Sequence, residues 1–81
     1  MNKQQMINEA RDYLARAFTK IVFDTKADFV HDFAIAEFLI NKLEYIFDYD
    51  FIEENETLSS EYAYCVEQYK HIVCGDYVAV K

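Results

Sequence analysis

The chain contains no proline, no tryptophan and a single glycine, Gly75. Proline and glycine punctuate hairpins and tight turns, so their scarcity argues against a strand-rich fold and for long helices joined by short polar links. No run of about 18 uninterrupted apolar residues is present, which argues against a transmembrane helix. The opening Met1-Asn2-Lys3-Gln4-Gln5 leads into a charged amphipathic pattern. It lacks the apolar core of a secretory signal, so a cytoplasmic location is expected. There are only two cysteines, Cys65 and Cys74, nine positions apart in one expected helix. That spacing separates them by about 13–14 Å along a continuous helix. A disulfide needs Cα atoms within about 7 Å, so the two do not pair with each other and reduced thiols are expected. No glycine-rich phosphate loop is present.

Large side chains are abundant. Seven Phe and seven Tyr occur in 81 residues, and 53% of the chain is hydrophobic. A single domain of this size buries only about 60–65% of its unfolded surface. Each buried aromatic removes on the order of 150–250 Å² from water, which offsets the small core.

Hydrophobic periodicity places three helices, at about 3–22, 27–47 and 59–74. In the first, Met6, Ile7, Ala10, Leu14, Ala17, Phe18 and Ile21 recur at three and four, with Tyr13 at the edge. In the second, Phe29, Phe33, Ala36, Ile40, Leu43 and Phe47 form an unbroken stripe. Val30, Ile35, Phe38, Leu39 and Ile46 lie off it and are also apolar. A stripe wider than one face marks a helix central to a bundle or shared with another subunit. In the third, Tyr62, Cys65, Val66, Tyr69, Ile72 and Val73 line up, and Gly75 stands where a C-terminal cap glycine belongs. Asp24 or Thr25 is expected to cap the second helix. The expected fold is all-α: a three-helix bundle in one domain, with the middle helix as hub and residues 76–81 packed alongside.

Charge is distributed unevenly. Through Lys26 the chain carries five basic and three acidic residues, a net of +2. From Ala27 onward it carries three basic and twelve acidic residues, a net of −9, for −7 overall. Five carboxylates, Asp48, Asp50, Glu53, Glu54 and Glu56, fall in one connector beside Tyr45, Tyr49 and Phe51. Phe51 and Ile52 are also expected to pin that connector to the body. An acidic surface repels nucleic acid and attracts basic protein surfaces.

Other chemistries fit less well. Asp48-x-Asp50 opens like a calcium loop, but Ile52, Glu53 and Ser59 stand where ligands and a glycine are required. His71-x-x-Cys74, with Cys65 and His31, offers only one loose ligand pair, where a structural zinc site shows two close pairs. A packed cysteine and a half-exposed histidine are the plainer reading, and no metal or cofactor is expected. Cys65 and His71, six apart, sit on different sides of a helix, so only Cys74 is within reach of the imidazole. The carboxylates lack the apolar surroundings that tune an acid or base. The basic face of the first helix (Arg11, Arg16, Lys20, with Lys3 and Lys26) suits a solvated surface better than a DNA contact, given the overall charge of −7.

The sequence therefore points to a non-catalytic acidic binding protein. It would cover a basic surface of a partner that handles nucleic acid, with the five carboxylates as charge and Tyr45, Tyr49 and Phe51 as anchors. Small acidic helical inhibitors of host defence, including anti-CRISPR proteins, and nuclease immunity proteins share this profile of size, charge and helicity, without a shared motif. The rival readings are a structural subunit that forms a homodimer through the middle helix, and an adaptor that holds a partner helix in a groove. Neither direct nucleic-acid binding nor membrane binding is expected.

Overall fold

Apolar residues at helical spacing build a bundle here because two long helices can bury their stripes only against each other. The computed structural model describes residues 2–23 and 25–73. α1 spans Lys3–Val22, α2 spans Lys26–Phe47, α3 is a single turn at Phe51–Glu54, and α4 spans Ser59–Val73. A 3-10 turn at Glu56–Leu58 joins α3 to α4. The described residues contain no strand, and the fold is an all-α bundle 42 × 22 × 22 Å across. The first two helices fall where periodicity places them, within one residue. The connector differs from expectation: it carries its own helical turn. Asp24, Cys74, the Gly75 cap and the 76–81 tail lie outside the described residues.

α1 starts on a reciprocal cap. Asn2 Oδ1 accepts from the Gln5 N–H at 2.8 Å, and Gln5 Oε1 accepts from the Asn2 N–H at 3.0 Å. Two orphan donors are satisfied at once. Thr25 stands before α2, but its hydroxyl does not cap that helix. It donates instead to the Lys20 carbonyl at 2.9 Å, as does its N–H at 2.9 Å, which closes the α1–α2 turn. α2 ends at Asp48, the one non-glycine residue with positive φ (53°) among those described. Aspartate tolerates this left-handed conformation better than most residues. The turn it makes directs the chain back across the bundle end.

The core forms chiefly between α1 and α2. Ala10, Ala17 and Ala36 are fully buried, so the two helices approach over small side chains. Leu14, Phe29, Phe33 and Leu43 fill the space around them. α4 attaches through rings. Tyr69 packs on Phe33 at 5.2 Å and on Phe29 at 6.5 Å between centroids, and Tyr62 lies 6.0 Å from Phe33. Phe29 and Phe33 themselves stack at 5.6 Å. Aromatic pairs at these separations contribute about 0.5–1.5 kcal/mol each beyond area burial. The Tyr62 hydroxyl donates to Glu37, a polar tie between α4 and α2. Cys65 is the one fully buried residue of α4. The remainder of its expected stripe is half-buried, and Val73 is exposed.

A carboxylate is also buried between α1 and α2. Asp32 sits at 7% exposure, with Lys20 Nζ 3.4 Å away and His31 Nδ1 3.3 Å away. Its position continues the series Asp32, Ala36, Leu39, Leu43, all buried on α2. Lys20 reaches it from the last turn of α1, so the pair links the two helices beside their connecting turn.

Two groups on α4 make the fold sensitive to alkali. Burial, helped by nearby Glu61, pushes the Cys65 thiol from an ordinary value of 9.0 up to about 12. Burial and the bond to Glu37 raise the Tyr62 hydroxyl well above 10.0. In both cases the folded chain holds a proton that the unfolded chain releases sooner. The associated stability is complete below about pH 9 and is lost as pH climbs toward 12. In a Cys74→Ser background, Cys65 is expected to resist a thiol reagent at pH 8 until the chain unfolds. The denaturant midpoint should fall steadily above about pH 9, and less steeply when Cys65→Ala is added. A thiol that reacts at the rate of a free cysteine in native protein would contradict this packing.

Candidate functional site

The acidic connector is organised by one buried amide. Asn55 is 7% exposed and lies four residues after Phe51, which is 1% exposed. This i, i+4 pair turns inward, while Asp50, Glu53 and Glu54 of the same turn face out. Asn55 Nδ2 donates to the Phe51 carbonyl at 2.7 Å and to the Tyr49 hydroxyl at 3.2 Å. Its Oδ1 accepts from Arg11 Nε of α1 at 2.9 Å. Both donor hydrogens and the acceptor are therefore used, which removes the cost of burying the amide. Asp50 caps α3 by accepting from the Glu53 N–H at 3.2 Å.

The side chains proposed as anchors are placed unequally. Phe51 is not part of a docking surface: it is core, packed beneath the turn, as its pinning role requires. Tyr49 is half-buried, with its hydroxyl held by Asn55 and Lys3 Nζ 5.1 Å above its ring. Tyr45 stands 90% exposed on α2. Asp48, Asp50, Glu53, Glu54 and Glu56 are all exposed. Among the described residues, none of the five is ion-paired with a lysine or arginine of this chain. Arg11 and Lys3, the cations that meet the connector, engage an amide and a ring instead of a carboxylate.

Sequence reasoning missed two elements of this region. Asn55 was hidden because a polar residue in an acidic stretch reads as surface, although its spacing from Phe51 carried the signal. Arg11 was read as part of a solvated basic face, yet it fixes the connector to α1. Arg16 does conform to that reading: it bridges to Asp12 at 3.0 Å on the α1 surface and lies over Tyr13.

A second feature lies at the same end of the bundle. An open groove of about 290 Å³ is lined by Met6 of α1 and by Phe38, Leu39, Lys42, Ile46 and Phe47 of α2. Phe38 and Ile46 are 60% and 51% exposed. Lys42 Nζ lies 5.0 Å from the Phe38 ring centroid.

Metal-binding geometry is not assembled. Among the described residues, no group of three or more His, Cys, Asp or Glu side chains is arranged to hold a metal ion. The His31 side chain is 73% exposed and next to Asp32, while Cys65 is buried in the core. Nor is any described helix long and apolar enough to cross a membrane. Compared with protein-family models, with curated proteins and with solved structures, the chain gives no significant match.

Replacing Asn55 tests whether the amide holds the connector. Asn55→Ala strands the Phe51 carbonyl and Arg11 Nε and should cost about 1–3 kcal/mol. Amide hydrogen exchange is expected to quicken across 48–58 while the α1–α2 core keeps its protection. Asn55→Asp should not restore the connector, because it removes both donors and sets an acceptor against the Phe51 carbonyl. Unchanged exchange in Asn55→Ala would show that the turn is held by Phe51 alone.

Proposed function

We propose that this is a non-catalytic binding protein whose acidic end covers a basic surface of a partner protein that handles nucleic acid, as an inhibitor, anti-defence or immunity-like protein would. The observation that carries the reading is the disposition of charge around the connector. Five carboxylates face solvent on a segment whose ties to the body run through Asn55 and Phe51, so none of them is engaged in an ion pair among the described residues. A backbone turn that already holds its position loses little further freedom on binding. Clustered carboxylates offer arginine and lysine the charge that a phosphate backbone offers, and basic nucleic-acid grooves are built to take it. Charge of this kind sets the rate of encounter and the choice of partner. Apolar anchors set the residence time, and Tyr45 takes that role here in place of Phe51.

A second reading draws on the exposure of Phe38 and Ile46. On that reading α2 forms a homodimer and the acidic end serves solubility. Sedimentation over a range of protein and salt concentrations separates the two, because an apolar dimer tolerates high salt.

The charge reading is tested by a variant that keeps every structural role. Asp48→Asn tolerates the left-handed turn, Asp50→Asn retains the cap, and Glu53→Gln, Glu54→Gln and Glu56→Gln keep size. Together they should leave the melting transition close to that of the parent chain. A partner captured from host lysate by the parent chain should bind the variant at least tenfold more weakly. Its binding to the parent chain should also fall as salt rises toward about 0.15 M, where the screening length shortens to about 8 Å. Equal capture by both proteins, with a flat salt response, would remove the acidic end from the interface.

A further inference from the structure

We infer that the groove between the start of α1 and the end of α2 receives an amphipathic helix of the partner, with the cationic end of that helix lying over Asp48 and Asp50. This inference rests on the cationic-partner reading above and names the part of the partner that docks. The described residues pack against one another without filling the groove. α4 packs on Phe29, Phe33 and Glu37 of α2 and on Phe18 of α1. At about 100° per residue, Phe38, Lys42 and Ile46 point to the opposite edge of α2, away from α4. They sit one and two turns apart, the spacing at which apolar side chains of a docked helix at i, i+3 or i+4 and i+7 find successive contacts. Met6 and Leu39, at 4% and 5% exposure, supply an apolar floor, with exposed Phe38 and Ile46 beside it.

Charge identifies the occupant. Immediately after Ile46 and Phe47 the chain enters its acidic connector at Asp48. Lys42 stands midway along the groove, and its ammonium lies over the Phe38 ring at 5.0 Å from the centroid, at the end away from Asp48. The Asp48 end, where Asp48 and Asp50 outnumber the Lys3 ammonium over Tyr49, is therefore negative, and the Phe38 end is positive. A helix laid along it is matched when its own lysines, arginines and positive N-terminal dipole lie at Asp48 and its C-terminal end lies toward Lys42. A second copy of this chain is a poorer match, because it brings another net charge of −7. An uncharged apolar helix would leave the carboxylates unused.

A displayed library of 16-residue helices, randomised in its apolar and flanking positions, is the probe. It would be selected against the full chain at low salt. Enriched sequences are expected to carry Leu, Ile, Phe or Met at helical spacing and Lys or Arg near the N-terminal end. Phe38→Ser with Ile46→Ser should weaken their binding at least tenfold while the melt stays cooperative, since both side chains are more than half exposed in the free chain. Selected peptides that bind the serine variant as well as the parent would overturn the groove assignment, as would a selection that enriches none. If binding to the host partner still depends on the carboxylates in that case, the cationic-partner reading survives without the groove. Peptides lost in the serine variant but indifferent to neutralised carboxylates would overturn the cationic occupant, while the charge reading stands or falls on the host partner's own response to the neutralised variant. A concentration-dependent dimer abolished by Ile46→Ser would assign the groove to a second copy and overturn the proposal.

Discussion

The buried amide of Asn55 is the constraint on which the acidic end depends. A connector of this kind has too few apolar residues to hold itself. Phe51 supplies one buried ring, but a single ring fixes position more than orientation. Asn55 adds direction: two donors and one acceptor tie the Phe51 carbonyl, the Tyr49 hydroxyl and Arg11 of α1 into one arrangement. Because it is neutral, it does this without drawing on any carboxylate. Had the connector been held by ion pairs to Arg11 and Lys3, two of its five carboxylates would have been engaged within the chain. The neutral anchor therefore links the packing of the fold to the unspent charge of its surface.

How far this was legible in the sequence depended on the length of each pattern. α1 and α2 run five to six turns each, and their stripes repeat often enough to fix type and boundary. α3 is one turn, too short for periodicity to register, and its two inward residues are one aromatic and one amide. Phe51 carried two readings, a pin for the connector and an anchor for a partner. A ring that fills the core cannot also reach another protein, and burial decided for the pin. Asp32 was overlooked for a related reason. It occupies the phase shared by Ala36, Leu39 and Leu43, so its position marks it as inward even though its charge marks it as surface. Position prevailed because Lys20 of α1 lies close enough to accompany it inward.

The split in charge along the sequence becomes a division of labour in space. Of the early cations, Lys3 and Arg11 meet the connector, Lys20 meets Asp32, and Arg16 remains on the α1 surface with Asp12. Three of the five early cations are therefore spent on internal tasks, two on neutral groups and one on a buried acid, while Lys26 stands exposed at the start of α2. Five of the exposed acids that an approaching molecule meets stand together in the connector.

The apolar groove and the charged end also limit one another in a useful way. Exposed Phe38 and Ile46 alone would favour association of any two copies, since apolar contact is indifferent to identity. With a net charge of −7 on each chain, that encounter is opposed at low and moderate salt. On the reading proposed above, the same field draws a cationic helix toward the groove end at Asp48. Discrimination then arises from repulsion of the wrong partner as much as from attraction to the right one. Acidity gathered on the solvent face of a held turn, next to an apolar cleft, would serve both with few residues.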